Sequence, residues 1–149
     1  MFTVTIQERG RAISEVLSNL AGRLDDLSPA MASIGTEMES RVSARFETES
    51  DPLGHPWAPW AQSTVDAYPK DGNRRILDRY GDMLSSLNSQ PDATKVLIGF
   101  GQPYAAYHEW GTEHMPRRGL LMADPDAGTL APDDEAAVLE ILQVFLEPV

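Results

Sequence analysis

The sequence predicts an α+β fold: a small, mainly antiparallel sheet packed with N-terminal helices and a C-terminal helix, in a single domain spanning 1–149. Three observations predict it. Residues 2–6 and 95–100 carry short β-type patterns, apolar stripes at helical spacing lie toward both ends, and the two kinds of segment follow one another without regular β-α-β alternation. A chain of 149 residues buries roughly 68–70% of the surface it exposes when unfolded, enough to fold without staples.

Taken in order, Phe2, Val4 and Ile6 alternate with polar residues and predict a strand with one buried face. Ile13, Val16, Leu17, Leu20, Leu24 and Leu27 then form a helical stripe, with Arg9, Arg11, Glu15 and Arg23 on the other side. Ser28 followed by Pro29 reads as an N-cap with proline at the first helical position, and Met31, Ile34, Met38, Val42 and Phe46 continue a second stripe. The two stripes are best satisfied by a hairpin that covers its own sheet.

Prolines 52, 56 and 59 with Gly54 forbid a regular element before Trp60, and burial of the indole rings of Trp57 and Trp60 would pin that loop to the body. A short helix is expected over 62–68, then turn chemistry through Pro69, Gly72 and Asn73. Ile76 and Leu77 predict a buried segment, Gly81 a turn, and Met83 and Leu84 a short helix ending near Ser86. Residues 88–92 read as a turn, 95–100 as a strand, and 104–110 as a short helix closed by Gly111 in the left-handed region. Residues 115–122 are expected to return as a third strand or arm. Pro132, with Asp133, Asp134 and Glu135 in its first turn, opens a last helix whose apolar face includes Val138, Leu142 and Phe145.

Net charge is −11, which disfavours direct nucleic-acid binding, since phosphate contacts need lysine and arginine to displace counterions. With no cysteine, disulfides, thiolate metal sites and cysteine nucleophiles are excluded. The N-terminus has no basic segment followed by an apolar core, and no run reaches the ~20 apolar residues that span a bilayer, so a soluble, unexported protein without membrane association is expected. Charge is segregated. Lys70, Arg74, Arg75 and Arg79 cluster centrally, while Asp124, Asp126, Asp133, Asp134, Glu135, Glu140 and Glu147 make the C-terminal end acidic. Opposite signs in two segments suit head-to-tail association of copies.

Chemistry-bearing motifs are sparse. His55, His108 and His114 with Glu109 lack metal-ligand spacing such as H-E-x-x-H, and no cofactor is expected. There is no G-x-S-x-G, P-loop or dinucleotide fingerprint, and the approach to a nuclease pattern at Asp92 and Lys95 lacks its second carboxylate, Ala93 standing there. Nothing in these motifs demands catalysis. One reading they leave open is a small binding module or metal-dependent enzyme that uses the Trp57/Trp60 surface and the surface of residues 104–110.

One ordered set of residues carries a resemblance: Phe46, Asp51-Pro52, Gly54, Pro56-Trp57-Ala58-Pro59, Thr64, Ile76-Leu77, residues 81–87, Val96-Leu97-Ile98-Gly99, residues 104–111 and Pro116-Arg117-Arg118. Over about residues 40–122 it resembles the phage virion morphogenesis family of Mu-like phages and prophages, also described as tail completion proteins. The resemblance implies a structural protein, not an enzyme, made in the host cytoplasm and placed in the virion where the tail meets the head. It also implies a homo-oligomeric ring that contacts other tail or head–tail connector proteins. Lys70, Arg74, Arg75, Arg79, Arg117, Arg118, Asp133 and Asp134 are the candidate protein-contact residues.

Overall fold

The computed structural model describes residues 4–5, 11–21 and 26–146. Elements follow in the order β1 (Val4–Thr5), α1 (Arg11–Ala21), α2 (Ser28–Thr48), α3 (Gln62–Ala67), α4 (Asp82–Ser85), β2 (Leu87–Pro91), β3 (Val96–Phe100), α5 (Ala105–Trp110) and α6 (Pro132–Leu146). The expected α+β class is observed: a three-stranded antiparallel sheet of order β1-β3-β2, with helices from both ends of the chain in its core. Phe2, Ile6 and Leu24 of the expected strand and first stripe lie outside the described residues. Among the described residues no helix is long and apolar enough to cross a membrane.

The second apolar stripe folds as its spacing dictates. Met31, Ile34, Met38, Val42 and Phe46 are all buried along one side of α2, which packs on β2 and β3. α6 packs on α2, and α1 packs on α6 through a face that includes Ile13. At the start of α2 the cap differs from expectation. Leu27 occupies the N-cap position, and Asp26 accepts hydrogen bonds from both the Ser28 amide (2.8 Å) and the Ser28 hydroxyl (2.5 Å). The carboxylate two residues earlier satisfies one of the free N–H groups that a helix start leaves over, and it engages the serine hydroxyl as well.

Two further expectations are corrected. Residues 88–92, read as a turn, belong to β2 as far as Pro91, which pairs with β3 in the register Leu87↔Phe100 through Pro91↔Val96. The turn lies just beyond, where Asp92 Oδ1 accepts the Thr94 and Lys95 amides, both at 2.8 Å, and the Asp92 amide donates to Lys95 O at 2.8 Å. These hydrogen bonds hold the Asp92 carboxyl below its usual value. Polar Asn88, Ser89 and Gln90 have weak strand preference on their own, and it is the adjacent β3 that makes them one. Residues 115–122, expected as a strand, form no ladder. The amides of Leu120, Leu121 and Met122 are claimed by a buried carboxylate, described below.

Trp57 does what its loop position implied. It is 4% exposed, meets the Phe46 ring edge-on at a centroid distance of 5.5 Å, and donates from Nε1 to Gly119 O at 2.9 Å. Trp60 is half-buried and stacks on Tyr68 at 4.5 Å.

Gly35 sets how closely α2 approaches the sheet. A Cβ added there would lie 2.6 Å from Ser89 Oγ and 2.9 Å from Ser89 Cβ, with Val96 Cγ2 at 3.3 Å. Ser89 Cβ is fixed to the backbone of a paired strand and cannot turn away. Gly35→Val is expected to lower stability by about 1–3 kcal/mol through overpacking, and Ser89→Gly in the same chain to recover part of that loss. Chemical denaturation of the two variants and the parent checks this.

Candidate functional site

α5 and the arm that follows it hold the centre of the site. Ala105 and Glu109, four residues apart on one helical face, both point inward and are buried. Gly111 then stops the helix at φ +74° and ψ 171°, a mirror-extended conformation open essentially only to glycine and different from the left-handed cap that was expected. A Cβ there would also strike Arg117 N at 2.9 Å. The chain reverses through paired hydrogen bonds between Thr112 and Met115 and runs back past α5.

On that return path the backbone wraps Glu109. Its carboxylate, 1% exposed, accepts from the amides of Leu120 (2.9 Å), Leu121 (2.8 Å) and Met122 (3.2 Å). Arg117 neutralises it, donating from Nη2 to Glu109 Oε1 at 3.2 Å while Nε reaches Glu109 O at 2.6 Å and Nη2 reaches Met122 O at 2.6 Å. A buried carboxylate is tolerated when it is paired and hydrogen-bonded in this way. Arg118 ties the same arm to the proline-rich loop, donating to Ala58 O (2.8 Å) and Pro59 O (2.9 Å). On the far side Arg45 donates to Leu120 O at 2.7 Å and to Asp134, which also accepts from Arg41 Nε at 2.8 Å.

The candidate contact residues therefore divide. Asp134 is 1% exposed and held by Arg41 and Arg45; Arg117 and Arg118 are held by backbone oxygens; Arg75 pairs with the buried Asp78 at 2.5 Å. All four serve intramolecular contacts. Lys70, Arg74, Arg79 and Asp133 stand at the surface. The guanidinium carbons of Arg74 and Arg79 each lie 5.2 Å from the Tyr68 ring centroid, a cation–π arrangement that gathers two positive charges about one ring.

Beside this surface is a cleft of about 530 Å³, whose walls include Trp60, Tyr68, Arg79, Tyr104, His108 and Arg118. His114 lines it too, but His55 lies apart, 3.7 Å from Asp51. Among the described residues no group of three or more His, Asp or Glu side chains is placed to hold a metal ion. Two buried atoms of cleft residues, Tyr68 OH and His108 Nδ1, have no hydrogen-bond partner among the described residues. Burial, with a smaller contribution from the Arg118 charge, pulls the His108 imidazole down to about 4.

Sequence reasoning missed Glu109 and Arg45 as structural centres. The signals were present: Arg45 falls within the buried stripe of α2, beside Phe46, and Glu109 lies one turn beyond an inward-facing alanine. A charged residue on an apolar face implies a buried counter-charge, which here comes from α6 and from the arm.

The phage virion morphogenesis family matches residues 9–147. "Mu-like prophage FluMu G protein 2" of Haemophilus influenzae is 26% identical over 135 residues, covering 91% of this chain and 89% of that protein. "Putative capsid assembly protein G" of Escherichia phage Mu is 32% identical over 95 residues, 60% of each chain. No solved structure matches.

Two outcomes are expected here. Glu109→Gln replaces one acceptor oxygen with an amide group that faces backbone N–H groups and leaves Arg117 without its counter-charge, so stability should fall by about 3–5 kcal/mol in denaturant titration. His108 titrates lower in the folded chain than the 6.5 of a free imidazole, so between about pH 6.5 and 4 the unfolded chain binds more protons. Its contribution is complete above pH 6.5 and lost as pH falls, by about 2 kcal/mol once partial exposure to solvent is allowed for. His108→Gln should flatten that part of the stability–pH curve.

Proposed function

The chain belongs to the phage virion morphogenesis family, and from that premise we propose that it is a non-enzymatic structural component acting at the tail end, at the head–tail junction, of a tailed phage or prophage. It is made in the host cytoplasm, enters the virion, and works as a closed homo-oligomeric ring in contact with other tail or connector proteins. The supporting observation is how its charged groups are used. Glu109, weighed as a metal ligand, and Arg117, Arg118 and Asp134, candidate contact residues, are taken up in holding loops and helices to the core. Lys70, Arg74 and Arg79 remain as a positive surface on a chain of net charge −11, with Asp133 as an acidic counterpart at the opening of α6. Such segregation gives a protein–protein contact its register and its encounter rate.

Removing the gene from a Mu-like phage should leave heads and tails that do not join, visible by electron microscopy, and supplying the protein should restore joined particles. Lys70→Glu with Arg74→Glu should weaken that rescue several-fold at low salt and less at high salt, each exposed pair contributing about 0.2–1 kcal/mol. Asp133→Lys should return part of it. Normal virions in the complete absence of the protein would contradict the proposal.

A further inference from the structure

α5 presents a row of large side chains to solvent. Tyr104, Tyr107 and Trp110 recur every three residues along one edge of the helix, Tyr107 being 58% and Trp110 47% exposed. Two of the three are already oriented: Trp110 Nε1 donates to Asp126 Oδ1 at 3.1 Å, and Tyr104 lies edge-on to His108 at 6.5 Å. Aromatic residues held in place lose little freedom on binding, and Trp and Tyr are enriched among the residues that dominate protein–protein affinity. The ridge borders the cleft through Tyr104. With Arg75 and Asp78 neutralising each other, Arg79 and Arg118 outnumber Asp82 on the cleft walls, and Arg74 lies beside them over Tyr68.

A complementary surface exists elsewhere on the chain. Between α2 and α6 runs a groove of about 390 Å³, with Ile141, Val144 and Phe145 as apolar lining and Glu37 and Glu140 among its walls. Val144 is 60% exposed. The groove shares no lining residue with the cleft. One surface is an aromatic projection flanked by positive charge, and the other is an apolar recess flanked by Glu140 and by Glu37, whose carboxylate also meets Arg41 Nη1 at 3.5 Å.

We propose that the Tyr104, Tyr107 and Trp110 ridge of one copy seats in the α2–α6 groove of a second copy, with Arg74 and Arg79 facing Glu37 and Glu140. Because the two patches differ, the contact is heterologous: each copy uses its ridge on one neighbour and its groove on the other, which generates a ring when the rotation closes. This deepens the ring reading and rests on it, naming the two faces that meet.

The test uses the full chain with Tyr107→Ala/Trp110→Ala as the ridge variant and Val144→Arg as the groove variant. All three positions are well exposed, so both variants should keep the parent's circular dichroism and melting behaviour. In sedimentation equilibrium each variant alone should self-associate about 30-fold or more weakly than the parent. Mixed together, the groove variant's intact ridge and the ridge variant's intact groove should give a 1:1 complex that grows no further. A parent that stays monomeric, variants that assemble like the parent, or a mixture that stays monomeric would each overturn the proposal. If the ridge variant self-associates normally yet fails to rescue phage lacking the gene, the ridge contacts another virion protein, which overturns this inference and leaves the assembly function standing. Phage that join heads and tails without the protein would instead remove the function itself.

Discussion

A buried carboxylate holds this fold together. Glu109 sits at the end of a six-residue helix too short to be stable alone, and it accepts hydrogen bonds from consecutive amides of a segment with no strand to pair with. Without that acceptor, Leu120, Leu121 and Met122 would bury their side chains only by leaving their N–H groups unsatisfied. With it, the same three residues enter the core beside α2. Neighbouring ties then converge on the arm: Trp57 on Gly119 O, Arg45 on Leu120 O, Arg118 on the proline-rich loop. Glu109 thus couples α5 to the arm, and through Trp57 and Arg118 the arm holds a loop far away in sequence.

Charge inside this domain consequently has a scaffolding role. Arg45 and Asp134 join α2 to α6 in the same way that Arg117 and Glu109 join the arm to α5. Breaking a buried pair of this kind is costly because it leaves an uncompensated charge in low dielectric. Substitutions intended to probe surface contacts must therefore avoid Asp134, Arg117 and Arg118, although in sequence they look no different from Asp133 or Arg74. The surface that remains is a positive, aromatic region around Tyr68 and α5 and an acidic, apolar one along α2 and α6.

Much of the architecture was legible from periodicity. The stripe from Met31 to Phe46, the strand at 96–100, the anchoring of Trp57 and the acidic opening of the last helix all follow from spacing and side-chain type. What was not legible depended on partners outside the segment itself. Asn88, Ser89 and Gln90 become a strand because β3 lies alongside, while the arm fails to become one because Thr112 O, His108 O and the Glu109 carboxylate take the amides of Met115, Arg118 and Leu120 to Met122. The division of the candidate site into buried and surface charges was hidden for the same reason: burial of Asp134 requires Arg41 and Arg45 opposite it, and sequence spacing does not place α6 against α2.

The measurement that bears most directly on this account is native-state hydrogen exchange at the amides of Leu120, Leu121 and Met122. Bonded to a buried carboxylate, they should exchange as slowly as the amides of Met38 and Val42 in the middle of α2, opening only with the whole domain. If they exchange as fast as the exposed turn at Lys70 and Asp71, the Glu109 carboxylate does not hold the arm, and the fold must be kept together by other contacts.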